Sequence, residues 1–303
     1  MLEKAELHVH LDGAVEPETL REIDPSLSLE EITRATTYTD FSGFIQAFIW
    51  VNRKLTTPEH YARVARRLFQ RLEHEGVVYC EVILSVGVIL WKQLPFEPIF
   101  AALAEEAANA KVQVRWIFDA VRQFGVEPAR PVFDLAARYK NEGVVAIGLG
   151  GDEAAGPAAG FACLFAQSRD HGLRLTCHAG ESVGPRSVWQ ALSIGAERIG
   201  HGIRSIEDPS LVEHLARHQI PLEVCVTSNL RTGVVKRIEE HPIRRLFDAG
   251  VPIVINSDDP AMFDCTLESE YQLIEKTFGF SKEQMAGLAE ASLRHAFAFD
   301  PAK

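Results

Sequence analysis

Two histidines, His8 and His10 in the stretch ELHVHLD, are followed by Asp12 in what otherwise reads as a buried β-strand. Alternate side chains of a strand share a face, so His8, His10 and Asp12 fall on one side and Leu7, Val9 and Leu11 on the other. Similar groups recur along the chain. GLGGDE carries Gly151, Asp152 and Glu153, CHAGE carries His178 and Glu181, RIGHG carries His201, and INSDDP carries Asp258 and Asp259. Singly, each has an ordinary explanation: an HxH pair is commonly incidental, DDP is a turn, and the glycines of HAGE and GHG suit strand-to-loop connections. Together, imidazoles with a carboxylate form a borderline-soft donor set that suits zinc, with iron(II) or cobalt(II) as substitutes and magnesium or calcium disfavoured. Such an ion brings the pKa of a bound water towards neutrality, so the chemistry is expected to be hydrolytic.

Elements able to hold these residues follow from the hydrophobic pattern. Strand-like runs are AELHVHL, VVYCEVILSV, VQVRWIFDA, VVAIGLG, LRLTCHA, RIGH, PLEVCVTS and VPIVINS, with helical stretches between most of them. That alternation predicts an α/β fold, a (β/α)8 TIM-type barrel, in one domain over residues 1–303. PEHYARVARRLFQRLEHEG reads as a helix opened by Pro58 and closed by Gly76, and HPIRRLFDAG as one ending at Gly250. Residues 14–57 are too long for a simple connection and hold FSGFIQAFIW, with Phe41, Phe44, Phe48 and Trp50 at roughly helical spacing. They predict an extra helical lid after the first strand, or aromatics that merely pack a further helix onto the barrel. On the barrel reading, the unusual polar residues lie at the C-terminal ends of five strands, the face where barrel enzymes keep their active sites. His60, His74, His171, His214, His218 and His241 read as surface residues on helices or their ends.

Composition narrows the partners. Forty-two acidic against 31 basic residues give a net charge of −11, which disfavours nucleic acid or an anionic membrane and favours a small neutral or cationic ligand. The five cysteines are odd in number and contain no CxxC pair, as expected of buried thiols in a reducing compartment. No apolar signal region precedes the first strand and no apolar run is long enough to span a bilayer, so the expectation is a soluble, cytoplasmic protein.

In this order, ELHVHLDGA, GDE, HAGE, RIGHG and the DDP doublet resemble the adenosine deaminase family of the amidohydrolase superfamily over nearly the whole chain. The resemblance implies one zinc ion per chain and hydrolysis of a purine 6-amino group to a 6-oxo group plus ammonia. It further implies that His8, His10, His178 and Asp258 hold the metal, one ligand more than most catalytic zinc sites use, so that a water makes it five-coordinate. By the same resemblance Glu181 protonates purine N1, and His201 orients and deprotonates the water. Asp259 bonds N7, the Gly151 backbone bonds N3, Asp12 takes a ribose hydroxyl, and Phe44, Ile45 and Phe48 form an apolar lid. No lysine ends the fourth strand, which weighs against the two-metal version of the superfamily, and the missing CxxC separates the chain from cytidine-deaminase-type enzymes.

LDG resembles the nucleoside-acting branch, whereas adenine-specific relatives tend to carry isoleucine and glutamate there. The expected substrate is therefore adenosine or a 5′-modified adenosine. The lid is short for the family, and ILSVGVILW and GIRS depart from its usual pattern. Arg122 or Arg204 would pair with a carboxylate on an enlarged nucleoside such as 6-amino-6-deoxyfutalosine of menaquinone synthesis, or else be surface charges. Adenine deamination, another metal-dependent hydrolysis of an amidine or lactone, and non-catalytic nucleoside binding are the competing readings. Several helix faces leave room for a homodimer contact.

Overall fold

The apolar runs become eight parallel strands in a computed structural model that describes residues 2–302. They are β1 (Lys4–His10), β2 (Val77–Leu84), β3 (Gln113–Val121), β4 (Val144–Gly150), β5 (Arg174–Ala179), β6 (Arg198–His201), β7 (Leu222–Val224) and β8 (Ile253–Ile255), paired in sequence order. Helices fill the crossovers, as parallel pairing requires, and the architecture is the expected (β/α)8 barrel.

Its seam, between β8 and β1, closes through the residues just beyond β8. The His10 N–H donates to the Asp258 carbonyl at 2.8 Å and the Asp258 N–H to the His8 carbonyl at 3.1 Å. Lower on the seam the Asn256 side-chain oxygen accepts from the Leu7 N–H at 2.9 Å. One short ladder therefore closes the barrel and sets the relative height of His8, His10 and Asp258.

The helix Pro58–His74 shows why its sequence is helical. The Thr57 side chain caps it, Pro58 occupies the first turn, and Tyr61, Val64, Ala65, Leu68, Phe69 and Leu72 are buried along one stripe. Two expected boundaries shift. PLEVCVTS reads as one strand, yet β7 stops at Val224 and the helix Val226–Arg231 follows, burying Val226, Ser228 and Asn229. Tertiary packing overrides the strand preference of Val226 and Thr227 there. The helix expected from His241 runs only over Ile243–Asp248.

Residues 14–57 form three helices, α1 (Pro17–Ile23), α2 (Leu29–Thr36) and α3 (Phe41–Asn52). Asp40 caps α3 by accepting from the Gly43 N–H at 2.8 Å. The Phe44 ring packs 5.0 Å from Phe263 and 6.0 Å from Phe48, fixing α3 across the barrel mouth. Trp50 turns away, under the Lys54 ammonium. Among the described residues no helix is long and apolar enough to cross a membrane.

Candidate active site

β1, β5, β6 and the loop after β8 bring His8, His10, His178, His201 and Asp258 together at the C-terminal mouth. The His10 Nε2 lies 3.1 Å from His178 Nε2 and 3.4 Å from Asp258 Oδ1, and His8 Nε2 lies 3.6 Å from that same oxygen. Ligand atoms of His8, His178, His201 and Asp258 all fall within 4.8 Å of one another. Packing them so tightly demands a small neighbour: a Cβ on Gly200 would sit 2.8 Å from His8 Cε1.

The donor chemistry fits a metal ion. His8 Nδ1 donates to the Glu223 carboxylate at 2.7 Å, which turns Nε2 into the cluster, and that buried Nε2 has no hydrogen-bond partner. Burial pushes the His10 imidazole down to about 3 and holds His178 well below its ordinary value, so both rings are neutral with lone pairs to give. For His8, burial is outweighed by the adjoining carboxylates of Asp258 and Glu223, which raise it to about 10. A cation at the cluster would take the place of that proton.

Backbone strain is concentrated here. His201 has φ of 59° and Asp258 φ of 66°, both in the left-handed region that side chains other than glycine seldom enter.

Glu181 stands beside the cluster, its Oε2 3.7 Å from His201 Nε2. The loop that carries it is tied down by Glu153, whose carboxylate accepts from the N–H groups of Gly180, Glu181 and Ser182 at 2.8, 2.9 and 2.9 Å. Burial, reinforced by the negative charge of Asp258, raises the Glu181 carboxyl well above its usual range and leaves it a proton to give. Asp259 is buried too and has an Oδ1 without a partner; burial and then Asp258 raise it likewise, so it is a donor rather than an acceptor.

These groups line a cavity of about 170 Å³. Phe44, Ile45 and Phe48 of α3 form part of its wall, and Gly151 is at its edge with φ of 91°, a conformation that disfavours a side chain, and a Cβ there would displace the Gln123 amide, whose Oε1 would lie 2.2 Å away. Asp119, Glu181, Asp258 and Asp259 are its carboxyl groups, and among the described residues no lysine or arginine lines it. Asp12 lies one layer behind, fully buried, accepting from the Ser85 N–H at 3.3 Å with its other oxygen unpartnered.

Two expectations are corrected, those for Arg122 and His241. Arg122 is neither a surface charge nor a cavity residue: it is buried, with its guanidinium donating to the carbonyls of Leu149, Gly150 and His178. Arg204, by contrast, is the surface charge that was one of its two readings, half-exposed and paired with Glu207 at 3.0 Å outside the cavity. His241 is buried rather than on the surface.

The adenosine deaminase family profile matches residues 3–303. The chain belongs to the adenosine deaminase family. It is accordingly a hydrolytic aminohydrolase. Relatives within the family include the aminodeoxyfutalosine deaminase of Streptomyces avermitilis, 36% identical over 98% of this chain and 87% of that protein. The adenosine deaminase of Klebsiella pneumoniae is 34% identical over 96% of this chain and 92% of its own. The crystal structure of the adenine deaminase from Arthrobacter aurescens superposes with a TM-score of 0.93 at 28% identity, covering 100% of this chain and 96% of that one.

Sequence reasoning missed Asp119, Glu223 and Asn229. Asp119, two residues before the end of β3, lines the cavity, and burial, eased by Arg122, pushes it up to about 7. Glu223 sits between Leu222 and Val224 in a fully buried strand. A lone carboxylate inside an apolar strand was the available signal for both.

Proposed function

We propose that the protein is a zinc-dependent deaminase of 6-aminopurine nucleosides, adenosine or a 5′-modified adenosine, yielding the 6-oxopurine nucleoside and ammonia. The observation that carries this reading is the placement of Glu181 and His201, 3.7 Å apart, in one cavity with His10, His178 and Asp258, with His8 packed behind them in the same cluster. His8, His10, His178 and Asp258 would hold the metal. When bound there, the ion would supply a water acidic enough to act as a nucleophile near neutral pH.

The residues of the chain divide the remaining work. Attack at C6 breaks the aromaticity of the ring, and Glu181, protonated and beside the cluster, gives its proton to N1 as the C6–O bond forms. The C6–N6 bond then breaks as the proton of the new C6 hydroxyl passes to the amine, which leaves as ammonia, and C6 keeps the oxygen as a carbonyl. Purine N7 is an acceptor, so the protonated Asp259 suits it as a donor, and the Gly151 backbone is the candidate donor for N3. Phe44, Ile45 and Phe48 exclude water from this chemistry. Asp12, buried behind the cavity-lining Ser85, is the candidate for a sugar hydroxyl.

Four carboxyl groups, with no lysine or arginine in the cavity among the described residues, argue against a phosphorylated substrate. A second reading, 6-amino-6-deoxyfutalosine as substrate, is favoured by the apolar rim. Phe124 and Ile49 edge the cavity, and Trp91, 60% exposed, stacks on Phe124 at 5.9 Å, a seat for the aryl part of a large 5′ substituent, whose carboxylate would lie out at the solvent-facing rim. The 36% identity to an aminodeoxyfutalosine deaminase supports it as well. Five unpaired cysteines suit a cytoplasmic enzyme.

The test is kcat/KM on zinc-loaded protein for adenosine, 2′-deoxyadenosine, adenine and 6-amino-6-deoxyfutalosine, followed by the ultraviolet change from aminopurine to oxopurine. Adenosine fastest supports a purine-salvage role; the futalosine compound fastest by orders of magnitude supports the second reading. Inertness of every nucleoside would refute both.

A further inference from the structure

Behind His201 runs a buried chain of hydrogen bonds. The Ile243 backbone N–H donates to His241 Nδ1 at 3.2 Å, His241 Nε2 lies 3.2 Å from Asn229 Oδ1, and Asn229 Nδ2 lies 3.4 Å from His201 Nδ1. His201, Asn229 and His241 are 1%, 0% and 4% exposed, so water does not compete for these contacts.

The chain has a direction, and one group sets it. A backbone N–H only donates, so His241 Nδ1 is an acceptor and the neutral ring carries its proton on Nε2. Burial, with no charged partner, pushes His241 down to about 3, which keeps the ring neutral at any working pH. Its Nε2–H then donates to the Asn229 carbonyl oxygen, which leaves the amide NH2 facing His201. His201 Nδ1 must accept, so its proton is on Nε2, the nitrogen that faces Glu181 Oε2 at 3.7 Å and Asp258 Oδ2 at 3.9 Å. Reversing any one link would set two lone pairs or two donors against each other in a dry interior.

We propose that Asn229 and His241 are positioning residues that fix the tautomer of His201, so that His201 meets the reacting atoms as a hydrogen-bond donor from Nε2 and not as a proton acceptor. This rests on the deaminase reading and revises one part of it, the base role expected for His201. A donor at that place stabilises negative charge developing on the attacking oxygen. The same tautomer leaves His201 no lone pair on the side of the cluster, which separates it from His8, His10 and His178 as a metal donor.

The test begins with zinc-loaded protein carrying 15N-labelled histidine, whose ring-nitrogen shifts report which nitrogen holds the proton; His201→Asn and His241→Gln assign the signals. His201 should show a bare Nδ1 and a protonated Nε2. A bare or metal-bound Nε2 would overturn the proposal. In Asn229→Asp the carboxylate accepts from both rings, so His201 should change to the Nδ1–H tautomer, with kcat down about 100-fold, KM within about threefold and zinc content unchanged. His241→Ala should lower kcat about 10-fold, and His241→Gln, which keeps a donor to Asn229, should restore most of it. Wild-type kcat in Asn229→Asp would also overturn the proposal. Because the tautomer is read without substrate, nucleosides that are all inert beside the expected shifts would refute the deaminase reading and leave the hydrogen-bond chain standing.

Discussion

Two polar clusters occupy the barrel interior, one at the C-terminal mouth and one a layer below, and they meet their hydrogen-bonding demands differently. In the lower one Arg198 of β6 bonds both Glu81 of β2 and Glu223 of β7, donates to the His295 carbonyl at 3.0 Å, and lies over the Phe297 ring at 3.6 Å. Glu81 also accepts from the Tyr79 hydroxyl at 2.8 Å and the Phe297 N–H at 2.6 Å. At the mouth, His8 Nε2 and one oxygen each of Asp12, Asp119 and Asp259 are buried without partners, and His201 and Asp258 have strained backbones. The first cluster is complete and holds strands together. The second leaves several buried donors and acceptors unpaired beside strained backbone, as functional sites commonly do. His8 belongs to both, through Glu223 below and its free Nε2 above.

The comparison is sharpened by changing one cluster at a time. At the mouth, Glu181→Gln should lower kcat/KM by about 10⁴, about 5 kcal/mol of transition-state stabilisation, while zinc content is retained. Because the change removes a buried carboxyl beside Asp258, Tm should be unchanged or higher. A normal rate would remove Glu181 from the chemistry, and a collapsed Tm would make the mouth structural like the layer below. In the lower cluster, Arg198→Met should lower the unfolding free energy by about 3–5 kcal/mol, since it leaves Glu81 and Glu223 buried without their counter-ion. Urea unfolding measures it, and a variant as stable as the wild type would break the distinction.

Glu223 joins the clusters, so its substitution should register in both. Glu223→Gln removes the carboxylate that holds the His8 Nδ1 proton and should weaken zinc binding about 10–100-fold, read by chelator competition. Unchanged zinc affinity would mean that the lower cluster has no hold on the site.

Much of the mouth was legible in the sequence because its residues break an apolar pattern where strands end, as His178, His201 and Asp258 do. The lower cluster was not, because Glu81, Arg198 and Glu223 lie inside short strands that read as core, and their pairing depends on neighbours far away in sequence. Arg122 was misread for a related reason. An arginine after a strand is by default a surface charge, and only the assembled barrel presents it with the carbonyls of Leu149, Gly150 and His178. HP before a helix likewise resembles an exposed turn, so nothing in the local pattern betrays that His241 is buried against Asn229.

His241 also gives the smallest effect, and one that separates structure from chemistry by pH. Its pKa is depressed by burial to about 3 in the folded protein, against about 6.5 in an unfolded chain. The folded state therefore binds fewer protons than the unfolded state between those values. Stability from a neutral His241 is complete above about pH 6.5 and declines as the pH falls towards 3, by about 2 kcal/mol at pH 5. The measurement is the unfolding free energy at pH 7 and pH 5 for wild-type and His241→Gln protein. The wild type should lose about 2 kcal/mol more than the variant over that interval, because glutamine has no proton to gain. Equal losses would mean that His241 takes up its proton in the folded state, and the hydrogen-bond order reaching His201 would then no longer be imposed from Ile243.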